Sequence, residues 1–235
     1  MIRARHVAAA ILFLTSCASS AAAADVSIRT EDGITLEAVW NAAPQPAGAV
    51  LLLHSYLRSH ADWDAVASRL HDAGLGVLQL DLRGHGRSGG TGTDQFAMFP
   101  RDVRAALAWM KTQPDVLPGK IGIAGLNLGA TLAVIGAGAE PAVRSIAVIS
   151  PAMEFRGLRC DTAMHAFAAR SGAALLAAGS LDPYGARSAR QLADIGPGLR
   201  DLHLFDATAA NGRALLQEQP DLVSALVDWF RRTLL

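Results

Sequence analysis

The 235-residue sequence has few cysteines, few aromatic residues and little charge, and each scarcity excludes a class of protein. Two cysteines are too few for a disulfide framework or a zinc cluster. Only 18% of the residues are charged, and 21 basic residues balance 21 acidic ones, which argues against a basic nucleic-acid-binding protein. A hydrophobic share of 51% also argues against a disordered chain. We therefore expect one globular domain without a metal, a cofactor or a nucleic-acid partner.

The first 24 residues have the composition of an export signal. Two arginines precede an unbroken apolar run over residues 7–14, and small residues follow it. The run is shorter than the roughly 20 residues that span a bilayer. The sequence L-T-S-C, which ends at Cys17, resembles the lipobox of bacterial lipoproteins, where cleavage leaves the cysteine as a lipid-bearing N-terminus. We expect a signal peptide over residues 1–24 and a lipid on Cys17 that anchors the protein to a periplasmic or outer membrane; simple secretion is the alternative.

Residues 25–235 alternate between strand and helix patterns and are expected to form one domain. A hairpin is predicted at residues 26–40, because Glu-Asp-Gly separates two alternating segments. Six later runs are apolar on both faces, as in a buried parallel sheet: residues 49–53, 76–82, 120–126, 145–150, 173–179 and 202–206. Residues 103–110 and 222–230 have helical spacing of apolar side chains. The pattern predicts an α/β fold with a mostly parallel eight-stranded sheet, an N-terminal antiparallel hairpin and helices on both faces.

A sharp turn is predicted after the strand at residues 120–126. The sequence from Gly125 to Gly129 reads G-L-N-L-G, which has the G-x-S-x-G spacing of a nucleophile elbow with Asn127 in the serine position. The two glycines permit a tight strand-to-helix turn whose middle residue adopts a left-handed backbone, and Asn tolerates that conformation better than most residues. By itself, the same pentapeptide is equally compatible with close packing of a helix on a strand.

Two other loops strengthen the case for this turn. His54-Ser55-Tyr56 follows the third strand, and the sequence R-G-H-G-R-S at residues 83–88 follows the fourth. Together with the elbow, these segments resemble the α/β-hydrolase superfamily. The resemblance covers residues 26–235, and the short segment between the sixth and seventh strands is similar to minimal, lid-less enzymes such as dienelactone hydrolases and esterases.

The resemblance implies a catalytic site at the carboxyl ends of the strands. It places Asp182 as the acidic member of a triad, and the backbone amides of Tyr56 and Leu128 as an oxyanion hole. The family's histidine is replaced here by Asn211, as its serine is replaced by Asn127. A serine hydrolase needs a hydroxyl, an imidazole and a carboxylate. An amide supplies neither the nucleophile nor a base that titrates near neutrality, so only Asp182 remains of the implied triad.

No other histidine has the sequence context of a substitute base, and His54, His85 and His203 are each interpreted as structural. We therefore expect an exported α/β-hydrolase-fold protein that has lost serine-hydrolase activity. Its backbone oxyanion hole would bind a small carbonyl or carboxylate ligand, or the protein would serve a partner. The alternative is an active hydrolase of esters or related acyl compounds that uses a non-standard nucleophile.

Overall fold

Ten strands form two sheets in the computed structural model, which describes residues 23–91 and 95–235. Most of the predicted signal peptide, including Cys17, lies outside the described residues. The strands are β1 (Ala24–Arg29), β2 (Thr35–Asn41), β3 (Ala47–Leu53), β4 (Gly76–Leu80), β5 (Val116–Leu126), β6 (Val143–Ile149), β7 (Glu154–Phe155), β8 (Leu158–Arg159), β9 (Ala173–Gly179) and β10 (Arg200–Phe205). Strands β7 and β8 form a small separate hairpin, and the other eight strands form the central sheet.

Helices cover both faces of the central sheet. They are α1 (Asp64–Asp72), α2 (Phe99–Met110), α3 (Leu128–Ala139), α4 (Asp161–Ala168), α5 (Pro183–Ala193), α6 (Gly212–Glu218) and α7 (Pro220–Leu234). Alternate strand residues face opposite sides, so Leu51 and Leu53 belong to the apolar core beneath α2 to α5. Val50 and Leu52 belong to the second core, beneath α1, α6 and α7. No described helix has the length and apolar character that a membrane crossing needs.

The strand order determines which loops meet. The central sheet runs β1-β2-β4-β3-β5-β6-β9-β10, antiparallel between β1, β2 and β4 and parallel elsewhere. The chain leaves β3 toward one side to form β4, and β5 lies on its other side. Leu53 and Gly125 are register partners at the carboxyl ends of β3 and β5. A parallel sheet forms its ligand crevice where the strand order reverses in this way, so the loops after β3 and β5 face the expected site.

The predicted fold class is confirmed, including the hairpin and the apolar faces of α2 and α7. Several strand ends differ by one or two residues, as in β4, which ends at Leu80 rather than residue 82, and two features differ more. Strand β5 begins at Val116 rather than at residue 120. The prediction missed its first residues because Pro118 and Gly119 lie inside the strand, and proline and glycine are poor strand formers. The β7–β8 hairpin was not predicted; its turn residues Arg156 (φ 46°) and Gly157 (φ 87°) both have left-handed backbones, which Arg rarely adopts.

Candidate functional site

Asn127 lies at a sharp turn between β5 and α3. Its backbone is left-handed, with φ 49° and ψ −108°. A Cβ atom on Gly125 would overlap the backbone of Gly129, and one on Gly129 would overlap the Leu53 carbonyl group. Only glycine permits this close approach of helix α3 to strands β3 and β5. The structure therefore has the elbow geometry that the glycine spacing predicts, with an amide at its apex.

The Asn127 side chain connects the loops after β3 and β10. Ser55 Oγ donates a hydrogen bond to Asn127 Oδ1 at 2.9 Å. Asn127 Nδ2 donates to Asn211 Oδ1, although at 3.4 Å this bond is long. The structure thus brings together the two asparagines that the sequence analysis assigns to the family's serine and histidine positions, which are 84 residues apart in sequence.

Gly212 seats the loop of Asn211 against the elbow. Its backbone is left-handed, with φ 50°, and a Cβ atom at this position would overlap Asn127 Oδ1. The Gly212 amide donates to the hydroxyl of Ser150 at 3.0 Å, in a buried contact at the end of β6. A larger residue at 212 would push the loop away, so the glycine is required for residues 127 and 211 to meet.

Asp182 has a different partner from the one that a triad requires. It precedes α5 as its N-cap residue, and its Oδ1 accepts a hydrogen bond from the Gly185 amide at 3.0 Å. No hydrogen bond joins Asp182 to Asn211 among the described residues. An N-cap carboxylate stabilises the start of a helix, which is sufficient reason for the residue to be acidic. Its assignment as a triad member stays a prediction.

The predicted oxyanion-hole residues lie on adjacent loops. Leu128 is the first residue of α3, and the first amides of a helix have no acceptor within that helix. The helix N-terminus also favours negative charge. Tyr56 follows the end of β3, against which Gly129 of α3 packs. Tyr56 lines the same cleft as Asn127, and the function of the Tyr56 and Leu128 amides as an oxyanion hole stays a prediction.

A cleft of about 480 Å³ opens over this cluster. Ser55, Tyr56, Asn127 and Asn211 line it, as do five residues that sequence analysis missed: Arg58, Phe155, Arg213, Ala214 and Gln217. None of the nine lining residues is acidic. The missed residues carried no sequence signal, because each lies outside a recognisable motif. A larger groove of about 720 Å³ lies between β1 and α2 and contains none of the predicted site residues, so its size does not indicate chemistry.

The histidines nearest the cleft are held in structural contacts. His54 is fully buried, and its Nε2 accepts from the Leu82 amide at 3.1 Å. Its Nδ1 therefore carries the proton and donates to the Ser55 carbonyl at 2.7 Å. Burial lowers the pKa of His54 to about 4, so the ring is neutral and both nitrogens are occupied at pH 7. His54 cannot take a proton from the neighbouring Ser55 hydroxyl.

His85 and His203 likewise supply no base to the cleft. His85 Nδ1 lies 2.8 Å from the Arg83 carbonyl, and the ring packs against Tyr56 at a centroid distance of 5.6 Å. His203 lies in β10, where its Nε2 is 2.9 Å from Asp201 Oδ1. None of the histidines in the described part of the chain hydrogen-bonds to the side chain of Ser55 or Asn127.

Cys160 is also unsuited to nucleophilic chemistry. It is fully buried, as expected of a small apolar side chain, and its thiol donates to the Ala152 carbonyl at 3.3 Å. Burial raises the pKa of Cys160 to about 12, so the thiol stays protonated. No group of three potential metal ligands occurs in residues 23–91 and 95–235. The residues that line the cleft include Ser55 but no histidine or cysteine.

Comparison with known proteins relates this chain to hydrolases. The sequence profile of the family described as "Serine aminopeptidase, S33" matches residues 44–191. An uncharacterized protein of Mycobacterium tuberculosis is 35% identical over 114 residues, which cover 47% of this chain and 39% of that protein. A monoacylglycerol lipase of Mycolicibacterium smegmatis is 37% identical over 82 residues, which cover 34% of this chain and 29% of the lipase. The chain thus spans about two fifths or less of these relatives.

Solved structures share the fold over nearly the whole described chain. An esterase of Pyrococcus furiosus superposes with a TM-score of 0.73 and 20% identity, covering 90% of this chain and 91% of the esterase. A dienelactone hydrolase of Anabaena variabilis gives a TM-score of 0.74 at 19% identity, covering 92% of this chain and all of the other (100%). At this level of identity the likeness establishes the α/β-hydrolase fold alone.

Proposed function

The chain belongs to the serine aminopeptidase, S33 family, and we propose that it is an exported member that binds a small carbonyl or carboxylate compound without hydrolysing it. The observation that carries this proposal is the bonding of Asn127 at the elbow. Its side chain lies between those of Ser55 and Asn211, and no imidazole in the described part of the chain is bonded to any of these three side chains. The position that a serine hydrolase uses for attack is thus filled by an amide whose oxygen is already bonded.

Ser55 is the hydroxyl in the cleft that a rescue of hydrolysis would need. It donates its proton to Asn127 Oδ1. An amide oxygen is too weak a base to remove that proton at neutral pH, so the contact orients the hydroxyl without activating it. The nearest imidazole, on His54, has both nitrogens bonded to the backbone. Ser55 therefore acts as a hydrogen-bonding group.

Binding requires less than catalysis does. The amides of Tyr56 and Leu128 do not depend on the side chain at residue 127, so a ligand oxygen can accept from them although the triad is replaced. Asn211 leaves its own amide nitrogen available to the cleft, because its oxygen is the atom bonded to Asn127. These donors favour a ligand that presents a carbonyl or carboxylate oxygen.

The first test measures activity directly. The purified protein is assayed with p-nitrophenyl acetate and butyrate and treated with a fluorophosphonate, which labels activated serines. We expect no labelling and no saturable turnover beyond the residual catalysis, about 10³- to 10⁴-fold over water, that an oxyanion hole and binding alone can supply. Labelling that disappears in Ser55→Ala would identify Ser55 as the nucleophile of an active hydrolase and overturn the proposal.

The second test restores the missing groups. Asn127→Ser or Asn211→His alone should raise ester hydrolysis little, and the double variant should gain far more than the product of the single effects, because triad members act as a unit. Asp182 must then exchange its bond to the Gly185 amide for one to the new imidazole. Replacing Asp182 by Asn in the double variant should remove most of the gain. Multiplicative gains from the two single changes would contradict the assumed geometry.

A further inference from the structure

Two arginines on the rim of the cleft converge on one buried carboxylate. Arg58, in the loop after β3, places its Nε 2.9 Å from Asp62 Oδ1, and Arg213, in α6, places its Nε 3.5 Å from the same oxygen. The Asp62 side chain is 1% exposed, whereas those of Arg58 and Arg213 are 48% and 43% exposed. Asp62 thus holds two guanidinium groups side by side while leaving them accessible.

Asp62 neutralises only part of the positive charge of Arg58 and Arg213. Two guanidinium groups face one carboxylate, so the cluster of Arg58, Asp62 and Arg213 has one excess positive charge. Nη1 of Arg58 and both Nη atoms of Arg213 have no partner within the described part of the chain. Asp62 Oδ2 is buried and also lacks a partner there. No lining residue is acidic, so an anion entering the cleft meets guanidinium donors, and the one carboxylate paired with them, on Asp62, is buried beneath them.

Part of the same cleft is lined by aromatic side chains. Tyr56 and Phe155 line it, with their ring centroids 6.0 Å apart in an edge-to-face arrangement. Phe96 packs behind both rings, and the Arg156 guanidinium lies over Tyr56 and Phe96, which holds the β7–β8 hairpin against these rings. A cleft with a charged part and an aromatic part is complementary to a ligand that is itself divided in this way.

We propose that the ligand is an organic carboxylate with an apolar body, whose acid group is bound by Arg58 and Arg213 and whose body lies against Tyr56 and Phe155. The excess positive charge of the cluster favours an anionic group over a neutral one. Guanidinium groups bind carboxylates through paired hydrogen bonds, and each arginine here has terminal nitrogens to offer. This inference rests on the proposed function and names the ligand class of the same cleft; it places the acid group at the two arginines rather than at the amides of Tyr56 and Leu128.

The test compares four probes by titration calorimetry: hexanoate, its neutral analogue hexanamide, hexylammonium, and acetate, which lacks the apolar body. We expect hexanoate to bind at least about tenfold more tightly than any other probe. Arg58→Gln and Arg213→Gln should each weaken hexanoate binding about tenfold and leave hexanamide unchanged. Arg58→Lys should lose less than Arg58→Gln, because it keeps the charge. Arg69→Gln, an exposed arginine of α1 bonded to Ser224, is the matched control and should bind as the unaltered protein does.

The outcomes separate this inference from the proposed function. Equal affinity for hexanoate and hexanamide, or hexanoate binding that is insensitive to both arginines, would overturn the carboxylate assignment and leave non-hydrolytic binding intact. No hexanoate binding at millimolar concentration would also overturn it. Fluorophosphonate labelling of Ser55 would instead overturn the proposed function without altering the arginine result. Thermal unfolding of each variant, monitored by circular dichroism, shows whether the protein stays folded when Asp62 loses one of its arginine partners. If a Gln variant is unstable, Arg58→Lys provides the folded comparison.

Discussion

Lowering the pH from 7 to 5 should destabilise the folded protein through one histidine beside the site. His54 is fully buried, with Nε2 accepting from the Leu82 amide and Nδ1 donating to the Ser55 carbonyl. A proton on Nε2 would face the Leu82 amide hydrogen, so protonation must break a buried hydrogen bond and place a charge in the core. Burial lowers the pKa of His54 from 6.5 to about 4.

The sign and size of the effect follow from proton linkage. Between pH 6.5 and about 4 the unfolded chain binds a proton at residue 54 and the folded chain does not, so stability falls as the pH falls through this window. A shift from 6.5 to about 4 corresponds at most to about 3 kcal/mol, since each pKa unit is worth 1.36 kcal/mol. By pH 5 the loss from this residue should be about 2 kcal/mol. For a domain of this size, that lowers Tm by about 4–8 °C.

Urea unfolding at several pH values between 7 and 4.5 measures this effect. His54→Gln removes the titrating ring, so its stability at pH 7 will be lower but should fall less steeply with pH than that of the unaltered protein. His165→Gln, on the exposed side of α4, is the matched control and should keep the steep dependence. Identical pH slopes for the unaltered protein and His54→Gln would refute the assignment of His54 as a buried neutral ring.

Three further predictions concern the site, the core and the leader. Gly212→Ala should abolish ligand binding and cost about 1–3 kcal/mol of stability, because the new Cβ atom overlaps Asn127 Oδ1 at a left-handed backbone position. Calorimetry measures the binding and urea unfolding measures the stability. Normal binding would contradict the packing described. Asp102→Ala should cost about 3 kcal/mol or more, because it strips buried Arg83 of a partner; a loss below about 1 kcal/mol would contradict this. Cys17→Ala should release the protein from the membrane fraction, and unchanged retention would dismiss the lipid.

Much of the fold could be predicted because its signals are local. Runs such as β3 and β9 are apolar on both faces, and only a strand with helices on both sides of its sheet buries both faces. The elbow could also be predicted from the sequence, since Gly125 and Gly129 are spaced for a turn that leaves no room for a side chain at either position. Where the local signal conflicted with the fold, as at Pro118 and Gly119 in β5, the prediction failed.

The candidate site was predictable only as a set of positions. Alignment of loops identified Asn127 and Asn211, but whether an amide at one residue bonds to an amide at the other depends on the conformation of both loops. Asp182 illustrates the limit: its position matches a triad acid, whereas its side chain caps α5. A polar side chain such as that of Asp182 can hydrogen-bond to any of several nearby groups. The sequence does not indicate which of these bonds forms.

The sequence by itself determined the layered α/β architecture and the glycine spacing of the elbow around Asn127, because both are properties of residue type and short-range spacing. The tertiary structure alone decided which charges meet at the proposed ligand site. Arg58 and Arg213 are separated by most of the chain, and they meet at Asp62 only because the sheet order brings the loop after β3 beside α6. The charge at a binding site is the sum of the charges of the residues that surround it in the folded protein. The balanced composition of the chain does not indicate where positively charged side chains will outnumber negatively charged ones.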